Sequence, residues 1–249
     1  VSSALSAVGS AGIVIDAGEG IQVGTEKAWK KCESLGVPKF FIINKTDKEG
    51  ANADAVITSL KAKFGNTVAA YDDREALEEA IAGTDEELME IYFDKGSFTD
   101  EQFKEGLYKG VDSGEISPVF TCSALTGDGI EELLDGMVDV MTRPVDGGDY
   151  FAIKEKMGTT IEVDSNGIPV VFVFKTIADP FLGKISLAKV ISGTIKQGDQ
   201  LYNHRDEKVE KLGSIFYLNG HQQNECKEVK AGDIFAIGKL QYTLTGDIL

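Results

Sequence analysis

Hydrophobic residues follow two different spacings along this chain, and the spacing changes near Pro144. Before that point, short apolar runs occur at 12–16, 40–43 and 118–122. Runs this short and rich in branched or aromatic residues are typical of strands buried on both faces of a parallel sheet. Stretches with apolar residues at helical spacing separate the runs. This alternation predicts an open, mostly parallel α/β sheet.

Helices between these strands are predicted from apolar spacing and from end residues. In residues 25–36, TEKAWKKCESLG, apolar residues share one face and Gly36 ends the helix. In residues 128–144, DGIEELLDGMVDVMTRP, apolar residues also recur at helical spacing. There we expect Asp128 to cap the first turn while Glu131 reaches back to the cap.

After Pro144 the pattern predicts an all-β region. The turn-rich connector VDGGDY leads to residues 151–167, which we assign to the connector with a candidate hairpin. From Pro169 onward, apolar and polar residues alternate with a period of two, as in VVFVFKTI and KISLAKVIS. Short strands with frequent turns predict a small antiparallel β-barrel. The predicted turns lie at Ser192–Gly193, Gly198–Asp199, Asn219–Gly220 and Gly232–Asp233.

Charge is spread unevenly over the two regions. The net charge is −16, and residues 1–167 contain 32 acidic and 15 basic side chains, whereas residues 168–249 contain 9 and 10. Within Arg74–Glu105 there are 11 acids against 3 bases, and Thr99 and Gln102 have the spacing of a capping box there. We interpret this run as a solvated helical face. No basic stripe supports nucleic-acid binding through bulk charge.

Length, hydropathy and cysteine content narrow the class of protein. A chain of 249 residues with 42% hydrophobic residues can form one large or two modest domains. No apolar run is long enough for a membrane span, and no signal peptide opens the sequence. Cys32, Cys122 and Cys226 are odd in number and lack metal-ligand spacing, so we expect reduced core residues. We therefore expect a cytoplasmic protein without membrane contact, and a monomer.

Polar residues end the second predicted strand, at the edge where open parallel sheets bind ligands. They form the run NKTD: Asn44, Lys45, Thr46 and Asp47. The Asp47 carboxylate can accept both the N1–H and the N2 amine of guanine, a pair of donors that adenine lacks. Lys45 can lay its methylene stem along the base, and Asn44 can bond the base and brace a neighbouring loop. The run therefore predicts guanine recognition, although Asn44 and Asp47 also occur commonly as turn formers.

A second polar loop, TCSALTGDG, follows the third predicted strand and contains Ser123, Ala124 and Leu125. We expect the backbone N–H of Ala124 to donate to guanine O6, because small residues let the backbone approach the base. We expect Ser123 to brace Asp47 through a hydrogen bond. Neither loop is specific alone, but both at strand ends, in this order, indicate a guanine nucleotide site.

These stretches resemble the translational GTPases, most closely those of the elongation factor G type. Residues 12–49 resemble the family's segment from the strand after the second switch through the guanine motif. Residues 78–110 resemble its acidic helical insert, and residues 117–144 its last guanine-contacting loop and helix. Residues 170–203 and 229–249 are similar to the opening and the end of its second domain, a β-barrel.

The resemblance implies two domains and a function. Residues 1–145 would be the later part of a GTPase domain with its acidic insert, and residues 146–249 the β-barrel with its connector. The ligands implied are GTP and GDP, with Mg²⁺ in the whole protein, whose ligands are not in this chain. The whole protein would be a ribosome-dependent GTPase that drives translocation during elongation, in contact with rRNA and ribosomal proteins.

Two motifs of the family are absent from the sequence. There is no GxxxxGK[ST] loop to hold phosphates and no DxxGH, and the two histidines, His204 and His221, lie in the barrel half. We therefore expect no catalytic residue here and no GTPase activity of this chain alone. A non-catalytic ribosome-binding module and a ribosome-protection GTPase of the tetracycline-resistance type remain alternatives. Basic residues that could dock the barrel on the ribosome are Lys184, Lys189, Lys196, Arg205, Lys208 and Lys211.

Overall fold

The computed structural model describes residues 1–65, 67–144, 150–154, 157–179, 183–220 and 222–249. Most of the connector VDGGDY and His221 lie outside these residues. The chain divides into two compact units, one formed by Val8–Thr142 and the other by Val1–Ala7 with Arg143–Leu249. The division after Thr142 falls near the change in hydrophobic spacing, while the domain boundary proposed between residues 145 and 146 remains a prediction.

The unit Val8–Thr142 is a four-stranded parallel sheet in the order β1–β2–β4–β3. A short helix, α1 (Ser2–Leu5), precedes it in the chain. The strands are β1 (Ala11–Asp16), β2 (Lys39–Asn44), β3 (Val68–Ala70) and β4 (Ser117–Thr121). The helices are α2 (Val23–Leu35), α3 (Ala53–Phe64), α4 (Arg74–Ala82), α5 (Glu86–Lys95), α6 (Asp100–Asp112) and α7 (Ile130–Val140). The predicted parallel α/β sheet is confirmed.

Strand β2 has no polar face because both of its faces are covered by helices. Phe40 packs in a core with residues of α4, α6 and α7, whereas Phe41 and Ile43 pack in a second core with residues of α2 and α3. Successive side chains of a strand point to opposite faces, so a strand between two cores must be apolar throughout. Full burial of each such side chain contributes about 2 kcal/mol. Apart from Lys39 at the start of β2, polar residues therefore begin only where the strand leaves the sheet.

Helix ends in this unit follow the local sequence in two of the three predicted cases. Gly36 ends α2 in the left-handed conformation at φ 64°, where a glycine avoids the strain of a side chain. Thr99 and Gln102 form the predicted capping box of α6. Helix α7 begins at Ile130 without the predicted cap. None of the described helices combines the length and the apolar composition needed to cross a membrane.

The second unit is antiparallel and all-β. A five-stranded sheet has the order β13–β12–β15–β8–β7, and β10–β11, β14–β9 and β5–β6 form three further pairs. The strands are β5 (Tyr150–Lys154), β6 (Met157–Ile161), β7 (Val170–Asp179), β8 (Gly183–Ser192), β9 (Thr194–Lys196), β10 (Gln200–Asn203), β11 (Lys208–Lys211), β12 (Ile215–Asn219), β13 (Gln222–Glu225), β14 (Glu228–Lys230) and β15 (Ile234–Gly238). Strands from three of these four groups contribute side chains to one core. The antiparallel class is confirmed, and among the described strands the hydrogen bonds form separate sheets rather than one closed ring.

Some features of this unit differ from the sequence prediction. The candidate hairpin is confirmed as β5–β6, and the four predicted turns all lie at strand junctions. The run EKLGSIFYL, which continues the period-two pattern and was expected to form one strand, contributes to two, because residues 212–214 separate β11 from β12. Strands β9, β13 and β14 were not predicted. Strand β13 is exposed along its whole length, so it has no apolar face to produce a period of two.

Candidate functional site

Three loops meet at the carboxyl edge of the parallel sheet. Strand β2 lies between β1 and β4, and the register places Asn44 beside Asp16 and Ile43 beside Thr121. All three strands run in the same direction, so the loops that follow them leave the sheet at the same edge. The two polar loops predicted from the sequence are therefore neighbours, and the end of β1 adjoins them.

Asn44 joins the loop after β2 to the loop after β4. Its Oδ1 accepts the backbone N–H of Lys45 at 2.7 Å and that of Ala124 at 3.0 Å. The Cys122 thiol lies 3.9 Å from the same oxygen. The predicted brace by Asn44 is present, and the Ala124 N–H, which we expected to reach guanine, is donated to Asn44. The amide N–H groups of Asn44 have no partner among the described residues.

Asp47 is held at one oxygen and open at the other. The buried Ser123 hydroxyl donates to Oδ1 of Asp47 at 2.5 Å, which is the brace predicted from the sequence. The same Ser123 oxygen accepts the backbone N–H of Thr126 at 3.2 Å, and the N–H of Thr46 reaches the Cys122 carbonyl at 3.4 Å. The Asp47 side chain is exposed, and within the described part of the chain its second oxygen accepts no hydrogen bond. The second oxygen and the unused lone pair of the first are therefore available to a ligand.

Lys45 is tied to the neighbouring strand β1 by a residue that the sequence analysis missed. Its Nζ lies 2.8 Å from Oδ2 of Asp16, and Lys48 reaches the same oxygen at 3.1 Å. The hydrogen bond from Lys45, followed by those from Gly18 and Lys48, holds the pKa of Asp16 well below its usual value. The same bond raises the pKa of Lys45. The available signal was the carboxylate that ends the apolar run GIVID, just as NKTD ends the next run.

The loop after β4 turns sharply into α7 at Gly129, which corrects the predicted helix start. Gly129 is the residue that precedes α7, with φ 70°, and a Cβ there would lie 2.3 Å from the Thr121 carbonyl oxygen. Asp128 does not cap α7, since its carboxylate accepts the Thr126 hydroxyl at 2.7 Å within the loop. No side-chain cap was found at this helix start, so the predicted box with Glu131 is wrong.

The predicted site residues differ in how far the structure brings them together. Asn44, Asp47, Ser123 and Ala124 form one hydrogen-bonded group. Lys45 belongs to the same loop but points its ammonium toward β1. Thr46 contributes its backbone N–H. Leu125 is 86% exposed, at the outer rim of the second loop.

A parallel sheet carrying NKTD and SAL loops at adjacent strand ends has the arrangement expected of a GTP-binding domain. Residues 1–143 match the family described as Elongation factor Tu GTP binding domain, and residues 169–249 match Elongation factor G domain 2. The chain belongs to the first of these families, which covers more than half of it. The resemblance inferred from the sequence is thereby confirmed.

Structural similarity extends across both units. A crystal structure of a protein from Thermus thermophilus matches with a TM-score of 0.79 at 24% sequence identity. The match covers 99% of this chain and 41% of that protein. At this identity the match shows a shared fold. This chain spans less than half the length of that protein.

Proposed function

We propose that the group around Asn44 and Asp47 binds the guanine base of GTP and GDP. The main support for this proposal is that the second oxygen of Asp47 is open while Ser123 holds the first by a hydrogen bond. A carboxylate held in this way can accept the guanine N1–H and N2 amine, and adenine would leave it unsatisfied. The unpartnered amide N–H groups of Asn44 offer donors to acceptors on the base. Ala124 would have to share its N–H between Asn44 and guanine O6.

We propose further that the whole protein is a GTPase of translational elongation that works on the ribosome in the cytoplasm. The family membership and the match to Elongation factor G domain 2 support this role. The residues of this chain select the base, and we assign none of them to phosphate or Mg²⁺ binding. Hydrolysis requires groups that position the γ-phosphate and the attacking water. We therefore expect a preparation with the mass of this chain to hydrolyse GTP no faster than buffer, as measured by phosphate release.

The second unit is proposed to contact the ribosome, and the structure narrows the candidate residues. Lys189 is 7% exposed, so it offers little surface to a partner and is a weaker candidate than the exposed lysines. Arg205 is engaged with Asp247, whereas Lys196 and Lys211 are exposed. Phosphate contacts by lysine make binding depend on salt. Reversing the charge of Lys196 and Lys211 together should weaken co-sedimentation of the whole protein with ribosomes and flatten its salt dependence.

The base assignment is tested by Asp47→Asn, with Glu49→Gln as the matched control in the same exposed loop. Binding of GDP, ADP and xanthosine diphosphate to the chain is followed by NMR titration. Asp47→Asn replaces an acceptor by a donor that faces the guanine N–H groups, so we expect at least about tenfold weaker GDP binding. In Asp47→Asn, binding of xanthosine diphosphate should strengthen relative to binding of GDP. Glu49→Gln should bind all three nucleotides like the wild type. Unchanged preference for guanine in Asp47→Asn contradicts the assignment.

A further inference from the structure

We propose that Asp16 is a positioning residue of the base site. Its carboxylate fixes the Lys45 ammonium over the end of β1, so that the methylene stem of Lys45 becomes one wall of the base pocket. The inference rests on the proposed function, since it concerns how the same site is shaped. Neither family match nor the sequence pattern assigns a role to Asp16.

The two arms of the NKTD loop are tied in opposite directions. β2 is the middle strand of the three, and its loop sends Lys45 toward β1 and Asp47 toward the loop after β4. Lys45 reaches Asp16 at 2.8 Å, and Asp47 is reached by Ser123 at 2.5 Å. Two side chains that are tied to opposite neighbours are kept apart. We infer that a flat ligand enters between them, with the Lys45 stem on one side.

The Asp16 carboxylate accepts three hydrogen bonds in this arrangement. Oδ2 accepts both lysine ammonium groups, and Oδ1 accepts the backbone N–H of Gly18 at 2.9 Å. Its side chain is 13% exposed, against 53% for Lys45 and 49% for Lys48. The anchor is thus the most buried member of the group, and the lysines reach in to it. A carboxylate with three donors has one preferred orientation, which makes it a suitable anchor for a flexible side chain.

The backbone around Asp16 is also held in place. The Asp16 carbonyl accepts the N–H of Gly20 at 2.9 Å, and the N–H of Ala17 donates to the Asn44 carbonyl at 2.9 Å. Lys45 itself has φ 64°, so its side chain leaves the loop from an uncommon backbone conformation. A lysine that is free in solution samples many rotamers. Restraining it before the base arrives reduces the ordering that binding must impose.

The test combines Asp16→Asn with two lysine variants in the 249-residue chain, with binding of GDP and ADP followed by NMR titration. Asp16→Asn keeps the shape of the side chain but removes the charge. We expect GDP affinity to fall about threefold to tenfold, with the preference for GDP over ADP retained because Asp47 is intact. Lys45→Met and Lys48→Met remove one ammonium each and keep an apolar stem.

If Asp16 positions Lys45, Asp16→Asn should change GDP affinity by different amounts in the Lys45→Met and Lys48→Met variants. If Asp16 acts through Lys45, adding Asp16→Asn to Lys45→Met changes GDP affinity less than about twofold, because coupled residues are not additive. In the Lys48→Met background the full loss should persist. A purely structural role would give the same loss in both backgrounds, and that result overturns the proposal. Trp29, the only tryptophan, lies in the core under this sheet, so its fluorescence reports whether each variant is folded.

A measurement on the wild-type chain keeps the proposal testable even if Asp16→Asn does not fold. The side-chain methylene ¹³C resonances of Lys45 should shift on saturation with GDP, whereas those of Lys48 should not. Absence of a Lys45 shift, with guanine preference intact, overturns the role of Asp16 and leaves the base assignment standing. A wild-type chain with no preference for GDP over ADP overturns both.

Discussion

Two polar clusters in this chain contain the same kinds of residue but differ in how far their hydrogen-bonding groups have partners. The cluster at the carboxyl edge of the parallel sheet is exposed, and it leaves an oxygen of Asp47 and the amide N–H groups of Asn44 without partners among the described residues. The cluster in the antiparallel unit is centred on Glu210 and Asp247, which are 3% and 5% exposed. There both carboxylates are enclosed by donors.

Glu210 closes the segment that follows β15. Its two oxygens accept the backbone N–H groups of Gln241, Tyr242 and Thr243 at 3.2, 2.6 and 2.8 Å. The Thr243 hydroxyl adds a fourth hydrogen bond at 2.9 Å. A buried carboxylate needs this degree of satisfaction, because an unpaired one would cost several kcal/mol.

Asp247 is satisfied by a different set of donors. It accepts Nε of Arg205 at 2.6 Å, Nδ2 of Asn203 at 2.9 Å and the backbone N–H of Leu244 at 2.8 Å. The hydrogen bond from Arg205 lowers its pKa to about 2, ahead of the contributions of Leu244 and Asn203. Two acidic residues thus fasten the last segment of the chain to β10 and β11.

The comparison shows that clustering of polar residues does not by itself indicate a ligand site. A buried cluster must satisfy its own groups, so it stabilises the fold and has nothing left to offer. A cluster at the exposed edge of a sheet can leave groups without protein partners, because water can hydrogen-bond to them until a ligand replaces it. The remaining hydrogen-bonding capacity is therefore what distinguishes the candidate site.

Glu210→Ala should have the largest effect. It would leave three backbone N–H groups and a hydroxyl without acceptors in a buried segment, at a cost of about 3–5 kcal/mol in the free energy of unfolding. Urea unfolding followed by far-UV circular dichroism measures the loss, and Trp29 fluorescence reports the other unit, which should keep its stability. Glu225→Ala, on the exposed strand β13, is the control and should change stability by less than about 0.5 kcal/mol. Equal effects of the two variants would contradict the comparison.

Asp247 should make the stability of its unit depend on pH. Its pKa is lowered from 3.8 to about 2 in the folded state. A lowered carboxyl pKa stabilises the fold above the unfolded pKa, and this contribution of about 2 kcal/mol is lost as the pH falls from about 4 toward 2. Asp247→Asn should remove that part of the dependence, as seen in urea midpoints at about pH 5 and about pH 2.5. An unaltered pH dependence in the variant would show that the Arg205 contact does not act on folding.

Ser123→Ala should have the smallest effect and should act mainly on the ligand. It removes the hydrogen bond that orients Asp47 and leaves the Thr126 N–H without its acceptor, at a cost of about 1 kcal/mol. We expect about fivefold weaker GDP binding with the preference for guanine retained, because Asp47 is still present. NMR titration with GDP and ADP measures both, with the exposed Ser34→Ala as the control. Lost selectivity with unchanged affinity would contradict this role for Ser123.

Local sequence predicted the parts of the fold whose cause is local. Residues 40–43 are apolar because both faces of their strand are covered, and Gly36 ends α2 because it adopts a left-handed conformation. The strand Val68–Ala70 was missed, since three residues carry too little periodicity to indicate an edge strand. The cap predicted at Asp128 was wrong because the loop itself uses that carboxylate.

Local patterns along the chain were sufficient to predict the parallel α/β class, the antiparallel class of the second region and the two loops that carry NKTD and SAL. The folded arrangement was needed to show which oxygen of Asp47 is occupied, that Ala124 donates to Asn44, and that Asp16 holds Lys45. Periodicity and turn chemistry act over a few residues, so they are legible along the chain. Asp16 and Ser123 meet the NKTD loop only because strand order places β1 and β4 on either side of β2, and strand order is a property of the folded sheet.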